Sequence, residues 1–334
     1  MLSLETLAGK IRQLHKIIRA EVVASCESQS VSELAKVARE VEEDTIYAID
    51  RISEERLIAF FEKEIPPESP IILIAEGIAN GKLVLPKGAP EAKARYRIIM
   101  DPIDGTRAIM YQKRSAWILT GVAPNNGAAT NLQDIEYAIQ TEIPLLKQHL
   151  SDVVFAFRGK GINACRFNRL TEKEQRLYLT PSQAESIAHG FATVVRFFPG
   201  MREVLAAIDD EVALGAQGGV EQEKAFCFED QYICTGGQLY ELINGHDRFI
   251  ADLRPLMKKL DQARSPGICC HPYDICTELI AREAGVIITD EKGMPLRPRL
   301  TVNDDVTWVG YANDAIQKQV ASRLKAALRK RDLL

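Results

Sequence analysis

The sequence has no uninterrupted apolar stretch that approaches the ~18 residues a membrane-spanning helix needs. It also has no block of basic residues interleaved with aromatic ones, and its net charge is −4. The first absence argues against a membrane as partner, and the second argues against nucleic acid. The opening segment, Met1–Glu5, does not place basic residues before an apolar run, so we expect no signal peptide.

Cysteine is infrequent, with seven residues in 334, and their odd number follows no spacing typical of a disulfide framework. A chain of this length can bury a sizeable core without disulfides, so free thiols in a reducing compartment are expected. We therefore predict a cytoplasmic location. The hydrophobic fraction of 46% and the charged fraction of 26% are ordinary for a globular protein.

Apolar residues at helical spacing predict an opening helix, and they are Leu4, Leu7, Ile11, Leu14, Ile18 and Val22. We predict a second, long helix over 31–63, which Pro66-Pro67 would terminate. Further helices are predicted over 200–215, 234–245, 275–283 and 313–331.

Short apolar runs between the helices predict buried strands. They lie at 71–75, 96–100, 117–123, 151–157, 286–289 and 308–311. Because strands and helices mix in both halves of the chain, we predict the α/β (α+β) class. The chain would form two layered subdomains, 1–160 and 161–334.

The segment Asp101–Thr106 places two carboxylates three residues apart at the end of a predicted buried strand. A charge near the core is costly unless something compensates it, and Pro102 would turn the chain at that point. The turn can bring both carboxylates and the Ile103 carbonyl together, and such an oxygen cluster suits Mg²⁺. Gly105 permits close backbone approach, and Thr106 lies where amides and a hydroxyl can meet a phosphate. Taken alone, however, such a segment is more often an ordinary turn, so its surroundings decide.

Those surroundings resemble the inositol monophosphatase family, within the lithium-sensitive, magnesium-dependent phosphatase superfamily that also holds fructose-1,6-bisphosphatase. Four elements occur in the order that the family has. They are Asp44-Thr-Ile-Tyr-Ala-Ile-Asp50, Ile74-Ala75-Glu76-Gly77, Asp101-Pro-Ile-Asp-Gly-Thr106, and Tyr273-Asp274 followed by Glu283-Ala284-Gly285-Val286. The resemblance implies a layered αβαβα sandwich and a homodimer. In it, 1–160 would carry most metal ligands, and 161–334 would supply the substrate pocket.

By this resemblance the protein would be a phosphomonoesterase that uses two or three Mg²⁺ per site. The first ion would be held by Glu76, Asp101 and the Ile103 carbonyl. The second would be held by Asp101, Asp104 and Asp274.

The resemblance also implies roles in catalysis. Asp50, with Thr106 and Glu76, would orient and deprotonate the attacking water. The amides of Gly105 and Thr106 would bind phosphate oxygens. The other substrate-contacting residues it implies are Gly236, Asp252 and Asp274, with Asp252 where the family often has a Glu that contacts substrate hydroxyls.

Some positions depart from the family pattern. Gly77 replaces a second Glu, Tyr47 stands where Thr is usual, and Cys276-Thr277 replaces smaller residues near Asp274. These departures leave open a non-catalytic phosphometabolite-binding protein with a degenerate site, although the four retained carboxylates favour an enzyme. Inositol monophosphate is the substrate that the resemblance favours. Fructose 1,6-bisphosphate and 3′-phosphoadenosine phosphate are the alternatives.

Overall fold

The computed structural model describes residues 2–40, 45–218 and 225–334, and the side chains of residues 37–55 and 79 lie outside that description. The α-helices are α1 Leu4–Ser28, α2 Val31–Leu34, α3 Ala48–Glu64, α4 Thr106–Met110, α5 Arg202–Gln217, α6 Thr235–Ile243, α7 Arg254–Leu260, α8 Glu278–Glu283 and α9 Asp314–Arg329. Short 3₁₀ turns lie at Ala79–Gly81, Glu91–Lys93, Gly127–Ala129 and Leu132–Asp134.

The strands occur in both halves of the chain. They are β1 Val37–Glu40, β2 Thr45–Tyr47, β3 Ile71–Ala75, β4 Lys82–Leu85, β5 Tyr96–Asp104, β6 Ala116–Pro124, β7 Tyr137–Ile143, β8 Leu150–Phe157, β9 Ile162–Asn168, β10 Lys173–Leu177, β11 Phe191–Val194, β12 Asp247–Asp252, β13 Ile287–Thr289 and β14 Trp308–Tyr311. Most predicted strands are therefore confirmed at nearly the predicted positions. Within residues 116–194, all of which the structure describes, β6 to β11 follow one another without an α-helix between them.

The larger sheet has eight strands in the order β10-β9-β8-β7-β6-β5-β3-β4. It is antiparallel except where β3 runs parallel to β5. Helix α1 covers one face of this sheet and buries its apolar stripe from Leu7 to Val22 there. Ser3 begins the helix by accepting a hydrogen bond from the Thr6 N–H. His15, on the same helix, contacts the hydroxyls of Thr120 in β6 at 2.8 Å and of Thr141 in β7 at 2.9 Å. These contacts fix the position of α1 on the sheet.

The smaller sheet has four strands in the order β11-β12-β14-β13. Helices α6 and α8 lie between the two sheets and bury apolar residues against both. Helices α5 and α9 pack on the outer face of the smaller sheet, and α1 and α3 pack on the outer face of the larger one. The layers therefore run helix, sheet, helix, sheet, helix, which confirms the predicted αβαβα sandwich of the α/β (α+β) class.

The predicted long helix over 31–63 is wrong. In its place are the single turn α2, the hairpin strands β1 and β2, and helix α3, which ends just before the prolines as expected. β-branched residues are frequent in the hairpin strands, and they favour strand pairing over helix. The predicted helix over 275–283 is also shorter, because turns occupy 272–277 and α8 begins only at Glu278.

The predicted subdomain boundary at residue 160 falls inside the larger sheet. Strands β9 and β10 follow it and extend that sheet to Leu177. The chain passes to the smaller sheet between Leu177 and Phe191. In the described ranges, no helix combines the length and the apolar character that crossing a membrane would require.

Candidate active site

A β-bulge at the end of β5 places Asp101 and Asp104 on the same side of the sheet. Asp101 pairs with Leu119 and Asp104 pairs with Trp117, so three steps along β5 match two steps along β6. Residues three apart in a regular strand point to opposite faces, and the extra residue of the bulge reverses that alternation. Both carboxylates are buried, and Oδ1 of Asp101 accepts a 2.9 Å hydrogen bond from the Ile103 N–H.

Glu76 approaches this pair from the neighbouring strand. Because β3 runs parallel to β5, with Ala75 opposite Met100, Glu76 and Asp101 each directly follow one of two paired residues. The carboxyl ends of parallel neighbours meet at the same edge of a sheet, and both side chains line the same pocket. The pairing of β3 with β5 thus brings the motif that contains Glu76 next to the motif that contains Asp101.

Asp274 completes the cluster from the turns that precede α8. Its Oδ2 accepts a 2.6 Å hydrogen bond from the His271 N–H, which holds the carboxylate in place. One carboxylate oxygen from each of Asp101, Asp104 and Asp274 lies within 4.8 Å of the others. The structure therefore brings together the metal ligands predicted from both halves of the chain.

The cluster has strong unfavourable electrostatics. Burial, together with the charges of Asp104, Glu76 and Asp274, holds the pKa of Asp101 well above its usual range. Burial and then the charge of Asp274 raise the pKa of Asp104 to about 8, although a hydrogen bond from Gly236 opposes the shift. A bound cation would compensate this repulsion.

The donor set fits Mg²⁺. Carboxylate and carbonyl oxygens are the ligands that this hard cation takes, and oxygens sharing one Mg²⁺ lie up to about 4 Å apart. Because the three carboxylate oxygens already lie within 4.8 Å, small side-chain movements would suffice. Glu76 and Ile103 line the same pocket and could add to the set.

The start of α6 supports the cluster. The Gly236 N–H donates a 2.6 Å hydrogen bond to Oδ2 of Asp104, and the Cys234 thiol donates to the Asp104 carbonyl at 3.2 Å. Gly236 therefore contacts a predicted metal ligand, and its predicted contact with substrate stays a prediction.

Gly105 and Thr106 follow the bulge directly. Gly105 has a φ of +94°, and a Cβ there would lie 3.1 Å from Cβ of Cys234, so glycine suits this position on both counts. The Thr106 hydroxyl donates a 2.9 Å hydrogen bond to the Ile103 carbonyl. That carbonyl keeps a second lone pair, so it can still serve as a metal ligand.

Asp252 lies apart from the pocket surface. It is completely buried at the end of β12, and both its oxygens bind Arg254, at 2.9 Å from Nε and 2.6 Å from Nη2. Arg254, which the sequence analysis did not single out, lines the pocket in its place. Asp252, the residue expected to contact substrate hydroxyls, thus forms a buried ion pair with Arg254.

Two further pocket residues, Phe197 and Phe198, were not found from the sequence. Their rings pack edge to face with centroids 4.9 Å apart, and the guanidinium carbon of Arg254 lies 4.5 Å from the Phe197 ring centre. Their only signal is an aromatic pair before Pro199-Gly200, in a stretch that carries no motif.

One predicted catalytic residue is only partly described. Asp50 lies in the first turn of α3, but its side chain is outside the described residues, as is the whole of Asp44. The predicted role of Asp50 therefore stays a prediction.

Comparisons with known proteins agree with the fold. By sequence, no family model and no curated protein matches the chain. By structure, an inositol monophosphatase-fructose 1,6 bisphosphatase superposes with a TM-score of 0.61 and 16% identity, over 93% of this chain and 98% of that one. The fructose-1,6-bisphosphatase of Leishmania major, in its holo form, gives a TM-score of 0.64 and 15% identity over 97% and 94%. The extragenic suppressor protein suhB of Bartonella henselae gives 0.64 and 15% over 96% and 98%.

These likenesses extend over nearly the whole of each chain, so the chain has the fold shared by these structures. At such low identity the superposition establishes the fold, and the chemistry of the site has to be argued from its own residues.

Proposed function

We propose that this chain, which has the fold of inositol monophosphatases and fructose-1,6-bisphosphatases, is a Mg²⁺-dependent phosphomonoesterase. The observation that carries the proposal is the approach of Asp101, Asp104 and Asp274 to within 4.8 Å at a shared pocket. Buried carboxylates that repel one another are costly to retain unless a cation binds them. The order of the sequence elements gives independent support.

In this proposal Glu76, Asp101 and the Ile103 carbonyl hold one Mg²⁺, and Asp104 and Asp274 join Asp101 in holding another. Bound Mg²⁺ would supply positive charge that acidifies the attacking water, neutralises phosphate oxygens and stabilises the leaving alkoxide.

The remaining steps belong to this chain's own residues. Asp50 and Glu76 orient the water and accept its proton, while the Thr106 hydroxyl helps to hold it. The amides of Gly105 and Thr106 bind the phosphate oxygens.

Sequence resemblance favours inositol monophosphate as substrate, but one structural observation bears on this choice. Asp252 is completely buried and paired with Arg254, and it does not line the pocket, so substrate hydroxyls there do not reach this carboxylate. We therefore propose the reaction class, hydrolysis of a small phosphomonoester, and keep inositol 1-phosphate as one member of the test panel.

The test measures phosphate release by the purified protein at millimolar Mg²⁺. The panel is inositol 1-phosphate, fructose 1,6-bisphosphate, adenosine 3′-phosphate, adenosine 3′,5′-bisphosphate and benzyl phosphate. We expect turnover of at least one ester, its loss in EDTA, and inhibition by Li⁺. Asp101→Asn should abolish turnover, whereas Asp314→Asn, at an exposed carboxylate at the start of α9, should leave it unchanged.

Failure would take a specific form. If the folded protein binds Mg²⁺ but releases no phosphate from any ester, the non-catalytic phosphometabolite-binding alternative replaces the proposal. If Asp101→Asn retains native turnover, Asp101 is not part of the site.

A further inference from the structure

The pocket wall that Phe197 and Phe198 form is held rigidly by the surrounding backbone. The Arg202 guanidinium donates to the carbonyls of Phe197 at 2.7 Å and of Phe198 at 3.0 Å. Gly200, with a φ of +117°, lets the loop pack directly on the 265–266 backbone, because a Cβ there would lie 2.6 Å from the Pro266 nitrogen. A wall fixed in this way loses little entropy when a ligand packs against it.

Two arginines flank the aromatic pair. The guanidinium carbon of Arg254 lies 4.5 Å from the Phe197 ring centre and 5.5 Å from that of Phe198. Arg107, on α4, lies 5.5 Å from the Phe198 ring centre. Cations at this distance attract aromatic rings and so hold their orientation.

Arg254 is poorly suited to bind a second substrate anion. Its charge is matched by the buried Asp252 carboxylate, and a third N–H donates to the Ile268 carbonyl at 2.9 Å. With its charge balanced, it serves as a support for the aromatic wall. This arrangement disfavours a bisphosphate that would place its second phosphate there.

The same ion pair disfavours a polyol. A hydroxyl that leaves water needs a hydrogen-bond partner, and a phenyl face offers little compared with a carboxylate. The carboxylate that could have accepted such bonds, Asp252, is completely buried against Arg254 and does not line the pocket. A planar apolar group, in contrast, gains from contact with a phenyl face.

Resting on the proposed phosphomonoesterase function, we propose that the pocket selects a phosphomonoester whose leaving group carries a planar aromatic ring. The phosphate lies at the carboxylate cluster, and the ring packs against Phe197 and Phe198. An aryl alcohol and a nucleoside both provide such a ring, and separate substrates distinguish these two sources.

The test compares kcat/KM at saturating Mg²⁺ for benzyl phosphate and cyclohexylmethyl phosphate. Both esters release a primary alkoxide of similar size, so their ratio isolates planarity. We expect benzyl phosphate to be favoured about tenfold, in keeping with the energy of aromatic stacking. Adenosine 3′-phosphate, inositol 1-phosphate and fructose 1,6-bisphosphate complete the set. We expect a higher kcat/KM for benzyl phosphate, for adenosine 3′-phosphate or for both than for inositol 1-phosphate and fructose 1,6-bisphosphate.

Two variants assign the preference to the wall. Phe198→Leu keeps an apolar side chain but removes the ring, so the benzyl to cyclohexylmethyl ratio should fall towards one. Phe228→Leu is the matched control, because this ring is 46% exposed and packs on Phe191 instead of lining the described pocket. It should leave the ratio unchanged.

Two results overturn the inference while the phosphatase function stands. One is a ratio near one that Phe198→Leu does not alter. The other is a higher kcat/KM for inositol 1-phosphate or for fructose 1,6-bisphosphate than for both benzyl phosphate and adenosine 3′-phosphate. If no ester is hydrolysed, the proposed function fails, and the ring preference is then decided by calorimetric binding of benzylphosphonate against cyclohexylmethylphosphonate with Mg²⁺ present. Equal binding of the two would overturn it.

Discussion

The main-chain N–H of Gly236 donates a 2.6 Å hydrogen bond to Oδ2 of Asp104, and so joins the start of α6 to the bulge of β5. A Cβ at position 236 would lie 2.5 Å from Cδ2 of Leu119 and 3.2 Å from that same Asp104 oxygen. A side chain could be accommodated only by moving the buried Leu119 side chain, the helix or the carboxylate. Glycine at this position therefore sets the geometry of a proposed metal ligand.

Gly236→Ala should lower the free energy of unfolding by about 1–3 kcal/mol, the usual cost of overpacking a core. It should also weaken Mg²⁺ binding, because the Asp104 carboxylate would be displaced. Urea denaturation and calorimetric Mg²⁺ titration measure the two effects. Gly267→Ala is the control, since a Cβ there meets nothing within 4 Å. Native Mg²⁺ affinity in Gly236→Ala would show that this contact does not shape the site.

The features that could be predicted from the sequence are those with a local cause. The run Ile71–Ala75 is continuously apolar, and it forms a fully buried strand. Asp274 lies far from Asp101 and Asp104 in the chain, and the convergence of the three was implied by the resemblance to a known family, whose motifs are each a short run of residues.

The features that could not be predicted depend on side-chain and backbone contacts that no sequence motif marks, even between residues close together in the chain. Asp252 looks like an available carboxylate in sequence, and only the fold shows that Arg254 turns back to bind both its oxygens. Phe197 and Phe198 enter the pocket because Arg202 and Gly200 shape their loop, and no motif marks that relationship. Helical spacing after residue 31 likewise concealed a hairpin, because pairing between strands leaves no periodic trace in so short a segment.

Replacing one proposed metal ligand should have opposite effects with and without Mg²⁺. Asp101→Asn removes a buried acid whose ionised form burial and the neighbouring carboxylates disfavour, while its amide oxygen can still accept from the Ile103 N–H. In EDTA the variant should therefore unfold at a higher temperature than the native protein. With Mg²⁺ at 100 times its dissociation constant, the native protein should gain about 2.7 kcal/mol and the variant far less. Calorimetric scans in both buffers test this, and an equal gain in both proteins would contradict it.

Removing one partner of the buried ion pair between Asp252 and Arg254 should destabilise the fold strongly. Asp252→Ala leaves a buried guanidinium without its carboxylate, which should lower the free energy of unfolding by about 3–5 kcal/mol. The double variant Asp252→Leu with Arg254→Met should lose less, because no uncompensated charge remains. Urea denaturation of the single and double variants compares their losses in the free energy of unfolding.

The exposed pair of Glu203 and Arg264 provides the matched control for that experiment. Both side chains are more than half exposed, so Glu203→Ala should lower the free energy of unfolding only slightly. A similar loss for Asp252→Ala would mean that the buried pair does not hold the pocket wall together.

His15 should make stability fall in mild acid. Burial lowers its pKa to about 3 in the folded protein, whereas in the unfolded chain it is about 6.5. Below pH 6.5 the unfolded chain therefore binds a proton that the folded protein does not, and the free energy of unfolding should drop by up to about 1.4 kcal/mol per pH unit from this residue as the pH falls from 6.5 towards 3. Urea denaturation of the native protein and of His15→Gln between pH 7 and 4.5 isolates the contribution of His15 to the pH dependence of the free energy of unfolding. The carboxylates contribute equally in the two proteins. His149→Gln, at an exposed histidine, should follow the native curve, and a His15→Gln curve parallel to it would mean that His15 accepts a proton without unfolding.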